Sequence, residues 1–431
     1  MKYRRYLVYG LFLLCFTKIF YVLLDGIVRG DEVHSVQRSL FLLEHKYDIV
    51  NTSPNDEPTG ISKRPERIRN YCKTLDVDTI NNSITPSVLS VYHYHNRSNI
   101  CTCHVPKAAS TSIIRSLLLL EYPEKADVFS ALPGHRLHLL KEVRNMSADA
   151  CIQNSMTSFF VTRDPYTRLY SAYIDKIYLR KFHKTAVYID AALNKKMPKE
   201  ILKELRHNTG KSFRKWYCKM TDISFEQFLK FVTSSQVLDT HFAPISLLCD
   251  PCKQRYDVIL KQENLKDDLD YLFGKIYHEN YTGKEVHTVQ DYTGQSGIES
   301  QILTYYTHWK QWVSKHDCFL DRELYDSINH RLWNGLKLLG SIDRNLEFID
   351  ELFRGPIGDK LKIRTPDSIF YEFKMNNVPY LNTEQREKQR KEFLLKAYRD
   401  VDKTVLERVQ KLFQLDFALF DYDPNPPGWH L

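Results

Sequence analysis

The chain has 431 residues, 43% of them apolar and 26% charged, with a formal net charge of +8. That balance is globular and can build a sizeable core, and the sequence shows no internal repeat and no low-complexity tract. The moderate positive charge suits an anionic ligand or polymer and does not by itself indicate nucleic acid.

The chain opens with Lys2, Arg4 and Arg5 before an apolar run, Tyr6–Thr17 and then Ile19–Leu24, with Asp25, Asp31 and Glu32 following. The run is close to the roughly 20 residues a membrane helix needs, and the charge order keeps the N-terminus cytosolic. Lys18 works against insertion by about 2.5–3.5 kcal/mol but lies toward the lumenal end, where its ammonium can snorkel. The expectation is a cytosolic tail over 1–5, an uncleaved signal-anchor transmembrane helix over 6–28 and a lumenal remainder. A cleaved signal peptide is the alternative. Five Asn-x-Ser/Thr acceptors, Asn51, Asn81, Asn96, Asn145 and Asn280, agree with a secretory-pathway address. Residues 29–96 carry little apolar periodicity, three prolines (Pro54, Pro58, Pro65) and a basic run at Lys63, Arg64, Arg67 and Arg69, and read as a stem. Beyond Cys15 in the anchor, eight cysteines remain, enough for four disulfides whose pairing the sequence does not give. Cys101, Cys103, Cys249 and Cys252 have the alternative of one zinc site, but an oxidising compartment favours disulfides.

Ile100–Leu120, ICTCHVPKAASTSIIRSLLLL, reads as strand, tight turn and helix. Ile100–Val105 suits a buried strand, Pro106 ends it, and Ile113, Ile114, Leu117, Leu118 and Leu120 give a helical apolar face. Between them Ala108, Ala109, Ser110, Thr111 and Ser112 are small, so backbone can approach a ligand. A helix N-terminus presents unpaired N–H groups and partial positive charge to a phosphate or sulfate, and Lys107 adds a full charge. Neither a Gly-Lys-Ser/Thr phosphate loop nor GxGxxG occurs. An ordinary turn with a solvated lysine is the plain alternative.

Ser158–Tyr173, SFFVTRDPYTRLYSAY, is a second strand–turn–helix. Phe159–Val161 is the strand, Pro165 suits the first helical turn, and Tyr166, Leu169, Tyr170 and Tyr173 repeat at helical spacing. Arg163 and Asp164 then stand at the carboxyl edge of a sheet, where α/β folds bind ligands, and Arg163 with Ser171 can share a phosphate. A structural Arg163–Asp164 ion pair is the alternative.

Together these motifs resemble the Golgi membrane-bound carbohydrate sulfotransferases, with the nearest likeness to the chondroitin/HNK-1 group. His241–Leu265, HFAPISLLCDPCKQRYDVILKQENL, and Leu415–Tyr422, LDFALFDY, are similar to two further family segments in the family's order. The resemblance implies an α/β core with a mainly parallel sheet flanked by helices, and 3′-phosphoadenosine 5′-phosphosulfate (PAPS) as co-substrate. Carried onto this chain, Pro106, Lys107, Ala108, Ala109, Ser110, Thr111 and Ser112 would hold the 5′-phosphosulfate, and Arg163, Asp164 and Ser171 the 3′-phosphate. PKAASTS departs from the group's usual loop and looks partly like heparan 2-O-sulfotransferases, which leaves the acceptor open. The expected acceptor is GalNAc of chondroitin or dermatan; uronic-acid 2-O or HNK-1-type transfer is the alternative, and so is a non-catalytic glycan-binding membrane protein. A kinase-like phosphotransferase fits less well.

His241 is the expected general base, with His104 and Asp239 as competitors, and Lys107 the group that neutralises the leaving nucleotide. The scheme needs no metal. A catalytic domain over 97–431 is expected, with a capped packing helix in Thr221–Ser235, a strand at Tyr256–Lys261, a helix at Glu263–Phe273, an insertion over about 296–382 and one long amphipathic helix over Glu384–Gln414.

Overall fold

The computed structural model describes residues 60–75, 85–86, 91–132, 137, 139–179, 181, 183–194, 222–235, 237–277, 295–316, 318, 322–353 and 365–428. The tail and anchor expected over 1–28, and the acceptors Asn51, Asn81 and Asn280, lie outside them. Among the described residues no helix is long and apolar enough to cross a membrane.

In chain order the elements that frame the centre are α1 (Arg64–Cys72), β1 (Tyr92–His95), β2 (Ile100–Cys103), α2 (Ser110–Glu121), β3 (Val143–Met146), α3 (Ala148–Asn154), β4 (Thr157–Thr162) and α4 (Pro165–Ala172), which runs into a π-turn at Tyr173–Tyr178. Then come α5 (His183–Asn194), α6 (Phe225–Ser234), α7 (Ile245–Cys249), β5 (Val258–Lys261) and α8 (Leu265–Tyr277). A C-terminal set follows: α9 (Gln295–His316), α10 (Arg322–Leu338), α11 (Pro366–Met375), α12 (Thr383–Arg399), α13 (Lys403–Leu412) and α14 (Gln414–Phe420).

The sheet order is β3-β1-β2-β4-β5. β2, β4 and β5 pair in parallel, with Thr102 opposite Phe159 and Phe159 opposite Val258. β1 is antiparallel to both neighbours, Tyr92 lying opposite Cys103 and Met146. The expectation of a mainly parallel sheet is therefore corrected to a mixed one. The reason is local: only Asn96–Asn99 separate β1 from β2, too few for a crossover, and Asn99 takes a positive φ of 53° in that turn.

Phe159 and Phe160 are fully buried in β4, and α2 lays Ile113, Ile114, Leu117 and Leu118 inward. Each such side chain contributes about 1.5–3 kcal/mol of apolar burial. On α6, Ser224 and Gln227 close a reciprocal capping box, and Phe225, Phe228, Leu229 and Val232 face the core as their spacing predicts.

Two expectations about chain organisation change. The stem boundary at 96 is too late, because β1 is a central strand and α1 is part of the folded unit. Arg64 of α1 pairs with Asp268 at 2.5 Å, donates to the Ile259 carbonyl, and Asp268 also accepts the Lys261 N–H. Its basic run thus includes a buried ion pair, and Cys72 is joined to Cys252. The region about 296–382 shares the core: Trp309, Trp333 and Phe373 are buried in the same cluster as Phe159. The long C-terminal helix is two helices, α12 and α13, broken where Asp402 caps α13 through the Thr404 N–H.

Cys101 joins Cys151 and Cys103 joins Cys249, so with Cys72–Cys252 all four cysteines of the zinc alternative are consumed. Cys318 is disulfide-bonded as well. Each bridge restricts the unfolded chain, an effect of about 2–4 kcal/mol.

Candidate active site

The loop after β2 turns through two left-handed residues that are not glycine, Lys107 (φ 67°) and Ala109 (φ 54°). Such residues cost on the order of 1–3 kcal/mol each and persist where surroundings hold them. Ala109 is the N-cap of α2, and no side chain caps that end. The first N–H groups of α2 thus face the loop without a capping oxygen, as an anion cradle requires. Pro106 and Ala108 are buried and offer backbone alone, while Lys107, Ala109, Ser110, Thr111 and Ser112 keep part of their surface.

Two arginines of the second motif hold this loop. Arg163, at the end of β4, donates to the Lys107 carbonyl at 2.7 Å and to Thr167 Oγ1 at 3.2 Å. Arg168, buried in α4, donates to the carbonyls of Pro106 (3.0 Å), Ala243 (2.5 Å) and Thr240 (2.9 Å). Burial lowers both guanidinium pKa values to about 10, so both stay charged at neutral pH. Arg168 ties the first loop to the segment carrying His241, a role the sequence does not reveal because its helical position reads as ordinary surface.

Asp164 caps α4, its carboxylate accepting the Thr167 N–H at 2.8 Å. Burial raises its pKa to about 6. Its carboxylate is thus committed to its own helix, and Asp164 positions α4. It also does not use Arg163 as the simple ion-pair alternative would; Arg163 turns to Lys107 and Thr167. Thr167 and Ser171 follow at i and i+4 on one face of α4, and Thr167 Oγ1 meets the Arg163 guanidinium.

Past α4, Asp175 on the π-turn receives Lys107 Nζ at 3.1 Å, Lys176 Nζ at 3.2 Å and the Lys181 ammonium. Burial acts to raise the Asp175 pKa, but the three lysines outweigh it and hold it well below the usual carboxylate range. Burial drops Lys107 to about 8 against the pull of Asp175. Asp175, Lys176 and Lys181 are not among the expected site residues; their signal is the convergence of Lys107, Lys176 and Lys181 on Asp175, which only the fold creates.

His241 Nδ1 lies 2.6 Å from Asp239 Oδ1, which also accepts the His241 N–H. Asp239 is thus the partner of the imidazole. Burial lowers the His241 pKa; the Asp239 hydrogen bond opposes this, while the charges of Lys176 and Lys107 add to it. Arg168, which donates to both the Pro106 and the Thr240 carbonyls, brings the His241 segment beside the Lys107 loop. His104, the other competitor, packs against His93 with ring centroids 4.8 Å apart, beneath the first loop.

The C-terminal signature braces the arrangement. Asp416, buried on α14, accepts the N–H groups of Ile245 (2.7 Å) and Ser246 (2.8 Å) just beyond the His241 loop. Tyr422 bridges Thr162 Oγ1 and Glu263, and Glu263 accepts the Asp164 N–H. Among the described residues no group of His, Cys, Asp or Glu could hold a metal ion. Asn145 is exposed on β3 and Asn96 is half-buried in the β1–β2 turn.

Comparison with known proteins agrees with this convergence. Carbohydrate sulfotransferase 11 of Rattus norvegicus is 24% identical over 200 residues, covering 44% of this chain and 53% of the relative. Carbohydrate sulfotransferase 8 of Mus musculus is 24% identical over 220 residues, 50% of each chain. Carbohydrate sulfotransferase 10 of Homo sapiens is 25% identical over 290 residues, 62% of this chain and 73% of the relative. The chain thus spans about half the length of the first two relatives. No solved structure matches. The model named "Sulfotransferase family" matches residues 92–331, more than half of the chain and the stretch that holds both loop motifs, the lysine-ringed Asp175 and the His241–Asp239 pair; the chain belongs to the sulfotransferase family.

Proposed function

We propose that this chain is a carbohydrate O-sulfotransferase that moves the sulfuryl group of PAPS to a glycan hydroxyl, with GalNAc of chondroitin or dermatan as the acceptor. The observation that carries the reading is the joining of the two loop motifs: Arg163 and Arg168 hold the backbone of the loop that bears Lys107. Family membership and the names of the relatives support it. Golgi membrane residence, through the N-terminal segment, is part of the same proposal.

In this scheme the uncapped start of α2, with Lys107, Ser110, Thr111 and Ser112, receives the 5′-phosphosulfate. Arg163, Thr167 and Ser171 receive the 3′-phosphate. His241 takes the acceptor's hydroxyl proton at Nε2, because Nδ1 is engaged by Asp239. The acceptor oxygen bonds to sulfur as the bond from sulfur to the phosphate oxygen breaks. The leaving 3′,5′-adenosine bisphosphate gains negative charge beside Lys107, where a fixed cation in a poorly hydrated site acts most strongly.

Incubating the full chain with radiolabelled PAPS and desulfated chondroitin, dermatan, heparan and HNK-1-precursor glycans tests this directly. Label enters a chondroitin-type glycan on the present reading; label in another glycan alone corrects the acceptor, and none in any, without nucleotide binding, overturns the activity. The same assay run across pH has a defined shape, since kcat/KM reports the free enzyme. It rises as His241 loses its proton below the ordinary histidine range, then falls through about 8 as Lys107 loses its own. A rate still climbing above that value removes Lys107 from the charge-neutralising role.

A further inference from the structure

The turn that carries Asp175 is held by elements outside the two loop motifs. Tyr173–Tyr178 is a π-turn, in which the Leu179 N–H donates to the Ile174 carbonyl at 2.9 Å. Such turns are rare and occur mostly at functional sites. Both ends of this one are tied down. At its start Tyr173 donates its hydroxyl to the Ile223 carbonyl at 2.7 Å. At its end Arg331 of α10 donates to the Tyr178 carbonyl at 3.0 Å and to Asp222 at 2.5 Å, and its guanidinium lies over the Tyr178 ring, 5.2 Å from the centroid. One helical turn further on, α10 carries Gly335, which lets Leu179 come close: a Cβ there would stand 2.5 Å from Leu179 Cδ2. The helix α10 therefore grips the residues that end the turn, while Asp175 inside it receives Lys107 Nζ at 3.1 Å. Lysine is a compact charge on a flexible stem, so the place of its ammonium is set by the partner that receives it.

We infer that Arg331 is a positioning residue for sulfuryl transfer: by fixing the end of the π-turn it sets Asp175, and Asp175 sets the Lys107 ammonium beside the leaving nucleotide. This rests on the sulfotransferase reading and deepens it, because α10, distant in the chain from both loop motifs, becomes part of the machinery as well as of the core. A displaced Asp175 acts on Lys107 in two ways. The ammonium leaves its place, and it loses a negative charge that favours its protonated form against burial. Of the groups that face Lys107, Lys176 and Lys181 favour the neutral amine, His241 feels its charge across the centre, Arg163 binds its carbonyl, and Asp175 favours the ammonium.

The test reads Lys107 itself. Competitive labelling of the full chain with acetic anhydride across pH, followed by mass spectrometry of the Lys107 peptide, gives the titration midpoint of that amine whether or not a glycan is sulfated. Turnover is measured in parallel with PAPS and unsulfated chondroitin. The wild-type midpoint lies at about 8. Asp175→Asn moves it down by about 1 pH unit or more, as loss of an adjacent opposite charge requires. Arg331→Gln moves it the same way and lowers kcat about tenfold, with KM for PAPS within about threefold, the split expected when a reacting group is misplaced. Arg331→Lys, which keeps a charge without the two-pronged reach, gives an intermediate midpoint and decides the matter if Arg331→Gln does not fold. Arg322→Gln, at the exposed first turn of the same helix, leaves midpoint and kcat at wild-type values. A wild-type Lys107 midpoint in the folded Arg331 variants, whatever their Tm, shows Arg331 to be structural alone and overturns the proposal, as does an equal shift in Arg322→Gln. A midpoint that moves as stated, in a chain that transfers no sulfate and binds no 3′,5′-adenosine bisphosphate, overturns the donor reading and leaves the link from Arg331 to Lys107 standing.

Discussion

Lys107→Ala is expected to lower kcat by about 10²–10³-fold, the loss seen when one preorganised charge-stabilising group is removed from a transition state. The folded protein should remain, for three reasons on the molecule. The side chain keeps a fifth of its exposure, Asp175 retains Lys176 and Lys181, and the loop is held through its backbone by Arg163 and Arg168. Affinity for 3′,5′-adenosine bisphosphate should fall far less than turnover, because other groups of the cradle stay. Turnover within threefold of wild type in single-cycle kinetics would take Lys107 out of the chemistry and leave its left-handed turn as a packing feature.

Arg168→Met acts on the scaffold. The substitution fills most of the volume but leaves the carbonyls of Pro106, Thr240 and Ala243 without their donor, and removes a buried positive charge that offsets Asp416. Stripping a partner from buried polar groups costs about 1–3 kcal/mol each, and breaking a buried charge pairing about 3–5 kcal/mol. One guanidinium makes all of these contacts, so the terms overlap; the charge term alone, about 3–5 kcal/mol, lowers Tm by roughly 3–6 °C in a chain of this size. Arg168→Lys should rescue little, since one ammonium cannot reproduce a planar fork that reaches three carbonyls. Thermal unfolding of the two variants decides it: a wild-type Tm for Arg168→Met would mean that the loop and the His241 segment hold together without the guanidinium.

Local pattern foretold the elements whose chemistry is local. Pro165 begins α4 and Ser224–Gln227 cap α6, because a fixed φ and a capping box act within one turn. β2 and β4 fall where short apolar runs meet Pro106 and Arg163, though β2 ends at Cys103, two residues earlier than the apolar run. Expectation fails where the decisive partner is distant in sequence. Nothing around Arg64 announces Asp268, so a docked helix looks like stem. Nothing around Arg168 announces the Thr240 and Ala243 carbonyls, and Asp175 looks like one more surface charge until Lys107 folds onto it. The break between α12 and α13 escapes the apolar stripe because Asp402 restarts the helix without disturbing its period.

The most direct test of the donor site compares 3′,5′-adenosine bisphosphate with adenosine 5′-monophosphate for binding to the wild type and to the Arg163→Ala, Ser171→Ala double variant. The wild type should prefer the bisphosphate by at least tenfold. The double variant should lose most of that preference, each charge-assisted contact to the 3′-phosphate being worth about 1.5–3 kcal/mol, while its binding of the monophosphate falls far less, because Arg168 still holds the 5′ loop through the Pro106 carbonyl. A wild type that binds the two nucleotides alike, or a double variant that weakens both equally, would contradict the assignment of the α4 face to the 3′-phosphate and with it the joining of the two loops into one donor site.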